Sequence, residues 1–398
     1  MSGADFVTNE EAILAARRFL GQGEWDYLAG ACESETTMRR NRMAFDRIAF
    51  RPRVLVNVSK IDTSRTFLGA NLRIPVLLAP IGSMQVFRPE GAALSTQAAG
   101  QFGVMHVLSS VTDPTLEEIA ECAPGAKAFQ LYVRGDMDWT KGMVDRIKAA
   151  GYVSLALTVD TAVPSRRERV MVDRWTAPTT RARAATGGPN YQSMLTWEKV
   201  DQIHEWWGDK PLMLKGIGTA EDAELALQHN VDIIWVSNPG GRQLDHGLGA
   251  METLPEIVQA VNGKAQIILD GGIQRGTDIL KAIALGADVV AIGSSLAGYG
   301  FTVPYLSSRI LTRAADALLL SVGSLRLFWL LIEIVLAVYL LGVVLSLVFG
   351  SIGVYMLTDD KSLGSFAREW AYRVPRALPQ IMLWPVRFGR YFAQFFRR

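Results

Sequence analysis

Eight polar side chains stand in the later half or at the exit of short apolar runs: Gln130, Tyr132, Thr158, Asp160, Lys215, Ser237, Asn238 and Asp270. Lys215 directly follows PLML, and a buried charge costs several kcal/mol unless it is paired. Its amine is therefore expected to face a ligand. The loop DGGIQRGTD (Asp270–Asp278) follows an apolar run and opens a helical pattern. Its glycines permit close backbone approach, and the helix N-terminus offers N–H groups to a phosphate. AIG (Ala291–Gly293) ends the last apolar run and supplies the other half of such a site. The combination predicts an anion-binding site with a fixed cation beside it.

Those residues need a scaffold that aims strand ends at one point. Apolar runs recur at Ile74–Pro80, Met105–Ser110, Lys127–Val133, Ser154–Asp160, Pro211–Gly216, Asp232–Asn238, Ala265–Gly272 and Ala287–Gly293. Each is almost continuously apolar, as a parallel strand buried on both faces must be. Amphipathic segments such as TLEEIAECA, TKGMVDRIKAAG and TAEDAELALQHN alternate with them, beginning at Thr and several ending at Gly or Asn. Eight strands alternating with helices predict an α/β fold of the (β/α)8 TIM barrel type, whose active site lies at the C-terminal strand ends. An open doubly wound sheet is the alternative. Residues 1–73 are expected to form helices and a lid. Arg166–Arg183 reads as a basic, mobile loop, with Pro178 and Gly187–Pro189 breaking regular structure.

The set APIGSMQ, LSS, FQLYV, LTVDT, LKG, SNPGGRQLD and DGGIQRGTD, in this order and spacing, resembles the FMN-dependent 2-hydroxy acid oxidases and dehydrogenases from about Trp25 to Gly293. The resemblance implies FMN as cofactor and a small carboxylate as substrate. It implies that Ala79, Ser109, Gln130, Thr158 and Lys215 contact the isoalloxazine ring. Asp270, Gly271, Gly272, Arg275 and Gly293 would hold the phosphate, helped by the hydroxyl of Ser294. Tyr27, Tyr132, Arg167 and Arg242 would orient the substrate, the arginines clamping its carboxylate as planar forks. No metal is implied.

The chain also departs from the family pattern. The family's motif S-N-H-G-x-R-Q-L-D carries the histidine that takes the hydroxyl proton; here that position is Pro239. Proline has no titratable group and cannot serve as a base. Asp160, which would orient that histidine, is retained without it. His246 is the nearest imidazole in sequence and would need a refolded loop to reach a flavin. His106, His204 and His229 read as structural. Gln274 and Ser294–Ser295 stand where the family has arginine and Arg-Pro, and Val111 stands where tryptophan is common. An FMN oxidoreductase with non-standard proton abstraction and a catalytically silent FMN barrel both fit this pattern.

Composition adds limits. Over 398 residues the net charge is +2, which gives no case for nucleic-acid binding by the whole chain. The two cysteines, Cys32 and Cys122, stand far apart, excluding a disulfide framework and a cysteine-rich metal site. The N-terminus lacks an apolar signal segment, so a cytoplasmic barrel is expected. A homo-oligomer is left open.

The family pattern stops after Gly293, dividing the chain into a barrel domain (1–300) and a helical tail (301–398). Val303–Ser321 is the candidate for the eighth barrel helix. Ile334–Thr358 contains no charged residue and exceeds the roughly 20 residues a membrane helix needs. Arg368, Arg373, Arg376, Arg387, Arg390, Arg397 and Arg398, interleaved with aromatics, follow as an amphipathic segment for anionic lipid. The tail thus predicts membrane association. Positive-inside reasoning places these arginines in the cytoplasm together with the barrel. A single span cannot do that; a hairpin within Leu318–Thr358 would.

Overall fold

A computed structural model describes residues 8–186 and 188–293 of the chain. Ser294, the candidate eighth helix, the uncharged run Ile334–Thr358 and the basic tail lie outside the described residues. Among the described residues no helix is long and apolar enough to cross a membrane.

Three helices come first: α1 (Asn9–Phe19), α2 (Gln22–Ala29) and α3 (Thr36–Asp46). A two-stranded antiparallel hairpin follows, β1 (Arg65–Phe67) and β2 (Ala70–Leu72). The repeating units then run β3 (Val76–Leu78), α4 (Gly91–Phe102), β4 (Met105–Ser109), α5 (Leu116–Glu121), β5 (Lys127–Leu131), α6 (Met137–Ala149) and β6 (Ser154–Thr158). After β6 come α7 (Glu168–Val172), α8 (Pro178–Thr186) and α9 (Trp197–Trp207). The remainder is β7 (Leu212–Ile217), α10 (Ala220–Gln228), β8 (Ile233–Val236), α11 (Ala250–Val261), β9 (Gln266–Leu269), α12 (Gly276–Ala284) and β10 (Val289–Ile292).

The eight parallel strands β3–β10 close into a barrel, with Val290 of β10 in register with Val76 of β3. The expected eight-stranded parallel α/β barrel of the TIM type is present and the open sheet is excluded. Each predicted apolar run marks one strand, β7 extending one residue past its run to Ile217. Helix starts follow capping chemistry: Thr115 and Glu118 form a reciprocal box at α5, and Asp136 and Thr219 cap α6 and α10.

Apolar side chains divide into two layers, as strands buried on both faces require. Inside the barrel lie Leu77, Val107, Ala128, Ala156, Met213, Trp235, Ile268 and Ala291. Phe67 and Leu72 of the hairpin join this layer. The hairpin sits at the N-terminal strand ends, where Arg65 pairs with Asp288 just before β10. The outer layer, between strands and helices, includes Leu155, Leu214, Ile234, Leu254 and Ile279. Cys32 is buried and Cys122 partly so, both as free thiols.

The segment Arg166–Arg183 corrects the expectation of a mobile loop, for α7 and most of α8 lie within it. Pro178 stands in the first turn of α8, where its missing N–H costs nothing. Trp175 packs so tightly on α2 that a Cβ on Gly23 would lie 2.2 Å from its ring, and the Ser83 and Thr179 hydroxyls meet at 2.6 Å. Buried Gln192 ties the following turn to the strand ends. It donates to Thr158 O at 2.5 Å and accepts from Val133 N at 2.9 Å.

Candidate active site

A hydrogen-bonded polar band crosses the C-terminal ends of adjacent strands. Ser109 Oγ donates to Gln130 Oε1 at 2.9 Å, and Gln130 Nε2 donates to Thr158 Oγ1 at 2.8 Å. Ser109 is in register with Gln130, and Thr158 with Lys215. All four side chains are buried. Parallel pairing thus converts four scattered residues into one continuous edge of donors and acceptors.

Lys215 is buried yet paired. Its Nζ donates to Ser237 Oγ at 2.7 Å, lies 2.9 Å from Asp270 Oδ2 and sits 5.1 Å above the Trp235 ring. Burial alone would lower its pKa; the Asp270 and Asp160 carboxylates outweigh it and hold the amine above its ordinary value. Asp270 also accepts from Ser237 Oγ at 2.6 Å and Trp235 Nε1 at 3.0 Å. Asp270 is thus the counter-ion of Lys215, held in place by Ser237 and Trp235.

Asp160 lies just past β6. Both of its carboxylate oxygens and the Thr161 hydroxyl are shielded from solvent with no hydrogen-bond partner among the described residues. Burial pushes its pKa up to about 7, with Lys215 opposing and Asp270 adding to the rise. Gly216 admits it, for a Cβ there would lie 2.5 Å from Asp160 Cγ. Tyr132 follows β5 and is raised above its ordinary value by burial, while feeling Lys215, Asp160 and Arg167.

A second cluster is built on α2. Arg167 and Arg242 place their guanidinium carbons 5.3 and 5.6 Å from the Tyr27 ring. Burial would raise the Tyr27 phenol, but the two arginines and bonds to Ser83 and Arg167 bring it below its ordinary value. Arg242 donates to the carbonyls of Leu28 at 2.7 Å, Gly30 at 2.8 Å and Tyr27 at 2.5 Å. It therefore tethers the carbonyl end of α2, where a cation is favoured. Burial first, then Arg167, lowers its pKa to about 9, so it remains charged at neutral pH. The four substrate residues expected from sequence are thus linked, Tyr132 feeling Arg167 and raising Arg242.

The loop after β9 has the shape that the glycine pattern predicts. Gly271 and Gly272 adopt φ of +98° and +84°, and a Cβ on Gly272 would strike the Asn41 backbone at 2.7 Å. Asp278 accepts from the N–H groups of Gln274 and Arg275 and pairs with Arg42 at 2.6 Å. Arg275 is exposed at the N-cap of α12. Across the barrel closure, Ala79 donates its N–H to Ile292 O at 3.0 Å and lies against Gly293.

The loop that opens at Asn238 is held from α3. Asn41 and Asn238 exchange reciprocal amide bonds at 2.9 Å, and Asn238 Oδ1 also accepts from Gly241 N at 3.2 Å. Pro239, Gly240 and Gly241 have φ of +28°, +69° and +76°. Glycine adopts such angles freely, whereas the proline ring favours about −65°. The backbone at position 239 is therefore strained.

No histidine fills the missing role. His106 is buried against the Thr96 hydroxyl at 2.6 Å, and His229 pairs with Asp201 at 2.8 Å. His204 lies on α9, 3.6 Å from Asp232. His246 is 64% exposed in its side chain and faces Ser34 and Asp245.

Sequence reasoning missed Trp235 as a partner of Asp270, Asn41 as a clamp on two loops, and the close approach of Gly216 to Asp160. A tryptophan N–H inside an apolar run was the usable signal, because a buried one needs an acceptor.

Comparison with known proteins agrees with this arrangement. The family model described as FMN-dependent dehydrogenase matches residues 16–302. The L-lactate oxidase of Nostoc sp. is 39% identical over 302 residues, covering 70% of this chain and 82% of that protein. Glycolate oxidase of Spinacia oleracea is 37% identical over 306 residues, covering 72% and 82%. A crystal structure of mandelate oxidase superposes with a TM-score of 0.73 at 32% identity, covering 78% of this chain and 92% of that one. This chain belongs to the FMN-dependent dehydrogenase family of oxidoreductases, and its cofactor is FMN.

Proposed function

We propose that the protein oxidises a small 2-hydroxy acid or related carboxylate at bound FMN, without a histidine base. The observation that carries this reading is the polar band Ser109–Gln130–Thr158 ending beside buried, charged Lys215. Such an edge of alternating donors and acceptors, closed by a cation, suits a flat polar heterocycle that gains negative charge on reduction. When bound, FMN supplies the two-electron acceptor.

The residues present fit the cofactor. Ala79, Ser109, Gln130, Thr158 and Lys215 would meet the ring. Gly271, Gly272, Arg275, Gly293 and Ser294 would meet the phosphate at the N-terminus of α12, where the Gln274 and Arg275 N–H groups are already given to Asp278. Asp270 serves as the counter-ion that keeps Lys215 in place. Arg167 and the charge of Arg242 would attract the substrate carboxylate, with Tyr27 and Tyr132 orienting it. The relatives are named for lactate, glycolate and mandelate, all 2-hydroxy acids, which supports that substrate class.

A catalytically silent FMN barrel is the second reading, and Pro239 is the observation that favours it. The Asp160 carboxylate favours catalysis, because it is buried without a hydrogen-bond partner among the described residues and so stabilises no contact of the fold. Anaerobic incubation of the FMN-loaded protein with glycolate, lactate and mandelate decides between the two. Appearance of the matching 2-oxo acid is expected; bound FMN that yields no 2-oxo acid from any of them supports the silent barrel.

We also propose that the tail tethers the barrel to a membrane, on the cytoplasmic side. Support comes from the uncharged run Ile334–Thr358 and the arginines that follow it. Full-length protein is expected in the membrane fraction. Recovery in the soluble fraction without detergent would refute the tether.

A further inference from the structure

We propose that Asp160 is itself the base that takes the hydroxyl proton of the substrate, the task that Pro239 cannot perform. This rests on the reading of the protein as a 2-hydroxy acid oxidoreductase and deepens it.

A carboxylate withdrawn from water without donors costs several kcal/mol. Asp160 bears that cost: both oxygens are solvent-shielded and lack a partner among the described residues, and so does the adjacent Thr161 hydroxyl. Lys215 directs its amine at Ser237 and Asp270 and acts on Asp160 through its charge. A substrate hydroxyl entering the barrel mouth would supply the missing donor.

The fold also makes room for this carboxylate. Gly216 stands at φ +113°, and a Cβ would strike Asp160 Cγ at 2.5 Å. The groups that act on Asp160 are Lys215 from β7, Asp270 after β9 and Tyr132 after β5. Lys215 favours the charged form, while burial and Asp270 favour the protonated one, giving a pKa of about 7. A general base works best when its pKa lies near the operating pH.

Rival bases are disposed of by their surroundings. Asp270 has both oxygens bonded, Lys215 is held protonated, and all four histidines are engaged elsewhere. Tyr27 is the remaining competitor, with its phenol below its ordinary value. In the proposed step the substrate gives its O–H proton to the Asp160 carboxylate. Its carbon-2 hydrogen leaves with the bonding electron pair to oxidised FMN, a C=O bond forms, and a 2-oxo acid departs. The substrate loses two electrons and FMN gains two.

The test uses the full-length FMN-loaded protein with Asp160→Asn and Asp160→Glu. Infrared spectroscopy reads the carboxyl directly: a protonated C=O band should titrate near pH 7 in the wild type and vanish in Asp160→Asn. Anaerobic flavin reduction by glycolate, lactate or mandelate should quicken as pH rises through 7. Asp160→Asn should retain FMN, slow reduction by about 10²–10⁴-fold and lose that pH rise, while Asp160→Glu recovers part of the rate. An Asp160→Asn protein that keeps the rate and the pH rise overturns the proposal, as does a loss confined to Tyr27→Phe. If the wild type reduces no flavin with any of these acids, the underlying functional reading has failed and the proposal falls with it. That failure shows in the wild type alone, whereas failure of the Asp160 assignment shows only in the variant.

Discussion

Gly216 and Asp160 approach so closely that a single methyl group on the glycine would lie 2.5 Å from the carboxylate carbon. The glycine also holds φ +113°, which side-chain-bearing residues rarely adopt. Packing and backbone thus demand the same residue at this point.

Gly216→Ala should therefore be costly twice. The positive φ alone should destabilise the fold by more than about 1 kcal/mol. The new methyl should displace Asp160 and slow flavin reduction. Chemical denaturation measures the first effect and anaerobic bleaching the second. A variant equal to wild type in both would show that Asp160 moves aside at no cost.

Removing the buried cation should cost more. Lys215→Met leaves the Asp270 carboxylate facing Ser237 and Trp235 without its counter-charge, a situation worth about 3–5 kcal/mol. Adding Asp270→Asn to the same chain should return part of that loss, because the unpaired charge is then gone. Urea denaturation of the FMN-free proteins keeps cofactor binding out of the comparison. A double variant less stable than Lys215→Met alone would contradict the pairing.

His106 should produce an acid-sensitive fold. Burial, with a smaller contribution from Lys127, lowers its pKa from 6.5 to about 4. Between those values the unfolded chain takes up a proton that the native chain refuses, so stability falls as pH falls. The contribution approaches about 3 kcal/mol below pH 4. Urea midpoints measured across this window should fall more steeply for wild type than for His106→Gln. Parallel slopes would place the acid sensitivity elsewhere.

The barrel was legible because each strand is buried on both faces, which leaves an uninterrupted apolar run. The hairpin β1–β2 was not, since its strands have three residues each and expose one or two of them. Helices α7 and α8 escaped for a different reason. α7 is only five residues long and α8 has no large apolar residue to set a period, and Trp175 on Gly23 and Thr179 on Ser83 supply the ordering contacts. The polar strand ends could be read directly, and three of them, Gln130, Thr158 and Lys215, join Ser109 in the band across β4–β7. The aim of Asp270 could not, because it depends on the register that sets Val236 of β8 beside Leu269 of β9. Nor could Asn41, which reaches Asn238 across 197 residues of chain.

The central claim is that this site does redox chemistry on 2-hydroxy acids although Pro239 offers no base. Single-turnover anaerobic reduction of bound FMN, compared between wild type and Pro239→His, tests it most directly. Slow wild-type reduction with one 2-oxo acid formed per flavin is expected. Pro239→His should be faster, because an imidazole oriented by Asp160 would then take the proton in place of the lone carboxylate. A wild type that binds FMN but is never reduced, before or after Pro239→His, would contradict the account and leave the barrel as a scaffold.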